Sequence, residues 1–117
     1  MKTILIVEDE YAIAQMLSEV LDEEGYRVVT AANGREGLEC LARERPDLIL
    51  CDVMMPVMDG RELYRQVRMI PQYNSIPFVL MSAVPKLLSE GDSYDAFLSK
   101  PLNLDHLIDT IWPLINR

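Results

Sequence analysis

Several large classes of protein are excluded by what this chain has little of. Its 117 residues include two cysteines, Cys40 and Cys51, and one histidine, His106. The cysteines show no CxxC spacing, so neither a disulfide framework nor a zinc site is supported, and both read as reduced packing residues. Long apolar runs are missing as well. Ile4-Leu5-Ile6-Val7 is cut off at once by Glu8-Asp9-Glu10, far short of a membrane span or the core of a signal peptide. A soluble, cytoplasmic protein is the expectation. Positive charge is scarce, with 11 basic residues against 19 acidic ones and a formal charge of −8. A surface of that sign repels both phosphate backbones and anionic lipid, which argues against nucleic acid or a membrane as direct partner. No repeat, low-complexity tract or flexible linker divides the chain, and one domain over residues 1–117 is expected.

Half of the residues are apolar, enough for a chain of this length to bury its own core. Ile4 to Val7, Leu48 to Cys51 and Phe78 to Met81 are continuous apolar runs, the pattern of strands covered on both faces. Between the first two, Ile13, Met16, Leu17, Val20 and Leu21 fall at helical spacing and predict an amphipathic helix ending near Gly25. Arg27 to Ala31 reads as a shorter strand. Asn33 with Glu36, and Asp59 with Glu62, are capping-box-like starts for two further helices, the first ended by Pro46 and the second running through Arg68. Ala96 to Leu98 predicts a last strand, and Asn103 opens a helix carrying Leu104, Leu107, Ile108, Ile111 and Ile115. Strands alternating with helices in this way imply parallel βαβ units with right-handed crossovers. The fold class expected is α/β, a doubly wound five-stranded parallel sheet in the flavodoxin-like order 2-1-3-4-5. Pro85, Gly91 and the polar pair Asp92-Ser93 predict a shortened or irregular helix between the fourth and fifth strands.

Ligands of open α/β sheets sit beyond the carboxyl ends of the strands, so the residues that follow each strand are the informative ones. Glu8 and Asp9 follow the first, Asp52 the third, Ser82 the fourth and Lys100 the fifth. Three carboxylates on one edge repel one another unless a cation joins them, and hard oxygen donors suit Mg²⁺. A lysine and a hydroxyl opposite suit an anion. Each piece has an ordinary structural reading: an acidic pair opening a helix, a turn aspartate, a serine cap, a solvated loop lysine. Their coincidence at four strand ends favours phosphoryl transfer, with one carboxylate as nucleophile.

These residues carry a resemblance. The stretches Ile4-Leu5-Ile6-Val7-Glu8-Asp9-Glu10, Pro46 through Gly60 with its D-x-M-M-P-x-M-D-G run, Met81-Ser82-Ala83 and Phe97-Leu98-Ser99-Lys100-Pro101 resemble the receiver domain of bacterial two-component response regulators. The resemblance covers essentially the whole chain. It implies that Asp52 accepts a phosphoryl group from the phosphohistidine of a sensor histidine kinase or a phosphotransfer protein. It further implies that Asp9, Asp52 and the backbone carbonyl of Met54 bind Mg²⁺, with Glu8 helping through water. Ser82 and Lys100 would contact the phosphoryl group, and Pro101 would follow a cis peptide bond. Phe97 holds the place of the aromatic switch residue that turns inward with the Ser82 hydroxyl. Met54 and Val84 stand where the family tunes water attack, and two apolar residues there predict slow self-dephosphorylation. Tyr94 and Ala96 depart from the family's usual G-A-D-D-Y stretch, and Ser82 and Lys100 are closer together than is usual, so a standard dimer is not expected; a monomer or weak dimer is.

Three other functions compete with this one. A flavodoxin needs a loop after the first strand that cradles a phosphate with backbone N–H groups, and Glu8-Asp9-Glu10 would repel one. A Mg²⁺-dependent phosphohydrolase with an aspartyl intermediate usually has a second carboxylate two residues past the nucleophile, where this chain has Met54. An interaction module that works without phosphorylation would not need Asp52, Ser82 and Lys100 together. The chain ends soon after its last helix, and the expected output is the binding of another, unknown, protein.

Overall fold

Aliphatic runs that no polar residue interrupts become the middle of a sheet. The computed structural model describes residues 1–84 and 94–117. Its strands are β1 (Thr3–Val7), β2 (Arg27–Ala31), β3 (Leu48–Asp52), β4 (Phe78–Ser82) and β5 (Ala96–Ser99). They form one parallel sheet in the order β2-β1-β3-β4-β5. The helices among the described residues are α1 (Tyr11–Glu23), α2 (Gly34–Glu44), α3 (Gly60–Met69) and α4 (Leu104–Ile115). The expected fold class is therefore present. The irregular helix expected between the fourth and fifth strands falls largely on residues 85–93, outside the described residues.

Side chains alternate across the sheet, because successive Cβ atoms in a strand point to opposite faces. Ile4, Ile6, Leu48, Leu50, Val79, Met81 and Leu98 point to one face, where Leu17 and Leu21 of α1 and Leu107, Ile111 and Ile115 of α4 cover them. Leu5, Val7, Ile49, Cys51, Phe78 and Leu80 point to the other, under Cys40 and Leu41 of α2 and Leu63, Tyr64 and Val67 of α3. Both cysteines are free and buried. One detail of the expected α1 stripe changes: Ala14, Leu17 and Leu21 are its buried line, whereas Met16 is exposed. The buried line is thus rotated toward Ala14 and away from Met16. In α4, likewise, Leu104 stays exposed in the first turn while Leu107, Ile111 and Ile115 enter the core.

Side-chain caps set the starts of three helices. Asn33 accepts a hydrogen bond from the Glu36 amide, Asp59 from the Glu62 amide and Asn103 from the His106 amide, each at 3.0 Å. Helix α2 stops at Glu44, two residues before Pro46, with Arg45 between them in the left-handed conformation. At the amino edge of the sheet two carboxylates hold strand ends: Asp47 accepts from the Thr3 amide (2.8 Å), and Asp95 accepts from the Phe78 amide (2.8 Å) and from Arg68 of α3 (3.1 Å).

Candidate functional site at the carboxyl edge

Parallel strands end on one edge, and four of the five strand ends there carry the candidate functional residues. Glu8 and Asp9 leave β1, with the Glu8 amide donating to the Ala31 carbonyl (3.0 Å). Asp52 closes β3, and the Val53 amide donates to the Met81 carbonyl of β4 (2.9 Å). Ser82 closes β4, and Lys100, the first residue after β5, donates its amide to the Ser82 carbonyl (2.9 Å). This last bond fixes the root of the lysine side chain beside β4. The Lys100–Pro101 peptide is cis.

The side chains converge. Oxygens of Glu8, Asp9 and Asp52 lie within 4.8 Å of one another. Lys100 Nζ donates to Glu8 Oε1 at 2.6 Å and to Asp52 Oδ2 at 3.1 Å. Glu8 is covered completely and Asp52 almost so, while Asp9 is exposed at the mouth. Burial pushes the Glu8 carboxyl up to about 7, against the hydrogen bond from Lys100 that pulls it down and with the Asp52 charge adding to the rise. Lys100 moves up as well: burial alone would lower it, but the hydrogen bonds to Glu8 and Asp52 outweigh that cost. One lysine thus faces three carboxylates, and the surplus of hard oxygen donors fits a divalent cation such as Mg²⁺.

Ser82 is buried, and its hydroxyl is occupied locally, accepting from the Val84 amide at 2.9 Å. Phe97, on β5, is half-buried, with its ring tilted against Tyr94 at 6.5 Å between centroids. Met54 and Val84 are exposed and apolar, and the Met54 amide reaches Asp52 Oδ1 at 3.4 Å.

Two features of the site have roles that the sequence reading did not assign. Gly60 packs so tightly under the acceptor strand that a Cβ there would sit 2.3 Å from the Asp52 carbonyl oxygen, and its amide donates to Val53 (2.9 Å). Gly34 does the same for the far side of the loop, its amide donating to the Met58 carbonyl (3.1 Å). Within that loop the Met58 amide donates to the Pro56 carbonyl (2.7 Å) around Val57, which adopts φ 70°. The second feature is Arg61, which with Asp9, Met54, Met55, Pro56 and Asp59 lines a crevice of about 400 Å³ at the mouth. Its sequence signal is a basic residue in the first turn of a helix, against the dipole.

A five-stranded parallel sheet with carboxylates and a lysine at its carboxyl edge defines a class, and comparison with known proteins gives it a name. The profile of the response regulator receiver domain matches residues 4–112, and the chain belongs to that family. It is similar to the sporulation initiation phosphotransferase F of Bacillus subtilis, at 37% identity over 112 residues, covering 92% of this chain and 89% of that protein. Among solved structures it is similar to the chemotaxis protein CheY4 of Vibrio cholerae, with TM-score 0.90 and 38% identity over 97% of this chain and 98% of that one. It is also similar to the response regulator TrrA of Thermotoga maritima in complex with Mg²⁺ and BeF, with TM-score 0.88 and 34% identity over 97% and 99% of the two chains. The chain spans only 36% to 51% of the longer regulators that it also matches. Receiver domains are signalling phosphoacceptors of two-component systems, not classical enzymes. No helix among the described residues is long and apolar enough to cross a membrane.

Proposed function

We propose that Asp52 is the phosphoacceptor, taking a phosphoryl group from the phosphohistidine of a sensor histidine kinase or a phosphotransfer protein. The observation that supports this best is the convergence of Glu8, Asp9, Asp52 and Lys100 from three separate strand ends. An Asp52 carboxylate oxygen forms the new bond to phosphorus as the P–N bond breaks, and the imidazole keeps the electron pair. Asp9, Asp52 and the Met54 carbonyl would hold Mg²⁺, with Glu8 acting through water. When bound, the ion neutralises charge on the transferring group. Lys100, already hydrogen-bonded to Asp52, turns its charge to a phosphoryl oxygen once that carboxylate is esterified. Ser82 leaves the Val84 amide to donate its hydroxyl to the phosphoryl group. Phe97 then packs inward behind it, and the altered face binds a downstream protein. The exposed apolar side chains of Met54 and Val84 offer no hydrogen bond to an attacking water, so self-dephosphorylation is slow. The protein acts in the cytoplasm as a monomer or weak dimer, without touching nucleic acid or membrane.

Intact-mass measurement with Mg²⁺ and a small phosphodonor tests the reading, beside Asp52→Ala and a chelated control. One acid-stable, base-labile phosphoryl group is expected, only with Mg²⁺ and Asp52 present. No modification with any donor or with a kinase extract would leave a constitutive interaction module as the better account.

A further inference from the structure

Eight arginines stand among 19 acidic residues, and seven of them lie within 3.9 Å of a carboxylate oxygen. Arg45 is the exception. The carboxylates nearest to it in sequence are engaged elsewhere: Glu44 pairs with Arg27 and Arg43, and Asp47 accepts from the Thr3 amide. Among the described residues the Arg45 side chain has no ion pair and no hydrogen bond, while its amide donates to the Leu41 carbonyl (3.1 Å). Its backbone is left-handed, with φ 47°, a conformation that glycine takes more easily at the end of a helix. What a glycine would lack there is the guanidinium.

Arg45 lines a cavity of about 500 Å³ at the amino edge of the sheet, away from Asp52. Ala42 and Pro46 line it from the end of α2, and Gln72, Tyr73 and Ile76 from the connection between α3 and β4. Both sides are held in place. Pro46 is buried, and Tyr73 and Ile76 pack against the core beneath α2 and α3. Within the connection the Tyr73 amide donates to the Ile70 carbonyl (2.9 Å) and the Ile76 amide to the Tyr73 carbonyl (3.1 Å). The side chains of Gln72 and Tyr73, like that of Arg45, make no hydrogen bond among the described residues. Apolar walls with a few polar groups, at this volume, are the make-up of a small-molecule site.

We infer that this cavity is a second binding site, separate from the carboxyl edge, and that it takes a small aromatic carboxylate. One unpaired cation calls for one negative charge, and a phosphate dianion would bring a second toward Glu44 and Asp47. A planar guanidinium meets a carboxylate with two parallel hydrogen bonds. The Tyr73 ring, with Ala42, Pro46 and Ile76, covers the aromatic body, and the Gln72 amide and Tyr73 hydroxyl select among ring substituents. A ligand there bridges the segments that enter β3 and β4, so it binds the folded chain alone and stabilises it. The site does not depend on the phosphoacceptor reading.

The probe is benzoate, titrated into isotope-labelled protein beside its neutral counterpart benzamide and followed by the backbone amide resonances. Saturable shifts are expected at Arg45, Gln72, Tyr73 and Ile76, equally in the wild type and in Asp52→Ala. Benzamide should bind about tenfold more weakly, the order of one charge-assisted hydrogen bond. Arg45→Gly separates ligand from fold: it relieves the left-handed backbone, so Tm should rise while benzoate affinity falls about tenfold. Arg45→Lys keeps the charge without the planar fork and should fall between. Equal affinity for acid and amide, an Arg45→Gly variant that binds benzoate as the wild type does, or shifts that never saturate would overturn the assignment. Shifts that centre on Lys100, or that vanish in Asp52→Ala, would overturn it as well by placing the probe at the carboxyl edge.

Discussion

Glu8 sits in an environment far from that of its free side chain. Buried beside Asp52, it keeps a proton until about pH 7, whereas in the unfolded chain the proton is lost near 4.5. A carboxyl raised on folding contributes stability below its unfolded value, and that contribution is lost as pH rises through the folded one. The metal-free protein is therefore expected to lose stability between about pH 4.5 and pH 7, and Glu8→Gln should flatten that slope in urea titrations. A slope that survives the substitution would place its origin elsewhere. Val57 carries a different burden. A β-branched side chain at φ 70° is strained, and Val57 is 76% exposed, so little packing offsets the strain. Val57→Gly should stabilise the protein by about 1 kcal/mol, a rise in Tm of about 5 °C.

At the scale of elements, most of the chain was legible because each strand and helix has a local cause. Aliphatic runs announced β1, β3 and β4, and Asn33, Asp59 and Asn103 announced three helix starts that the structure caps with those side chains. Asn103→Ala should accordingly cost about 1 kcal/mol by denaturant titration. What stayed hidden depends on contacts between elements. The exposure of Met16 and the burial of Ala14 depend on which side α1 turns to the rest of the fold, which periodicity within α1 does not fully encode. Glu8, Asp9, Asp52, Ser82 and Lys100 were legible as strand-end residues, yet the sharing of Lys100 between Glu8 and Asp52 was not. Gly60 was visible as the end of the D-x-M-M-P-x-M-D-G run, but not its cause, since its constraint comes from the Asp52 carbonyl of another element. Gly60→Ala must push α3 away from β3, and a loss of about 3 kcal/mol is expected, with slower phosphorylation of whatever protein remains folded.

For the whole molecule, the edge that collects the carboxylates is where an added cation should be felt. If Asp9 and Asp52 hold Mg²⁺, the ion binds the folded chain alone and raises Tm by mass action, in a saturable way. Asp9→Asn should remove most of that rise in a thermal melt, and an equal rise in both proteins would mean general screening. The opposite edge has another importance. Thr3 begins β1 there, hydrogen-bonded to Asp47, and Arg117 reaches back to Asp95 at the start of β5, its Nη2 2.5 Å from Oδ1. Both ends of the chain are thus anchored on the side of the sheet away from Asp52. A fluorophore, a surface tether or a fused protein can be joined at either end without crowding the mouth, which makes the molecule a convenient cartridge for immobilised phosphotransfer assays.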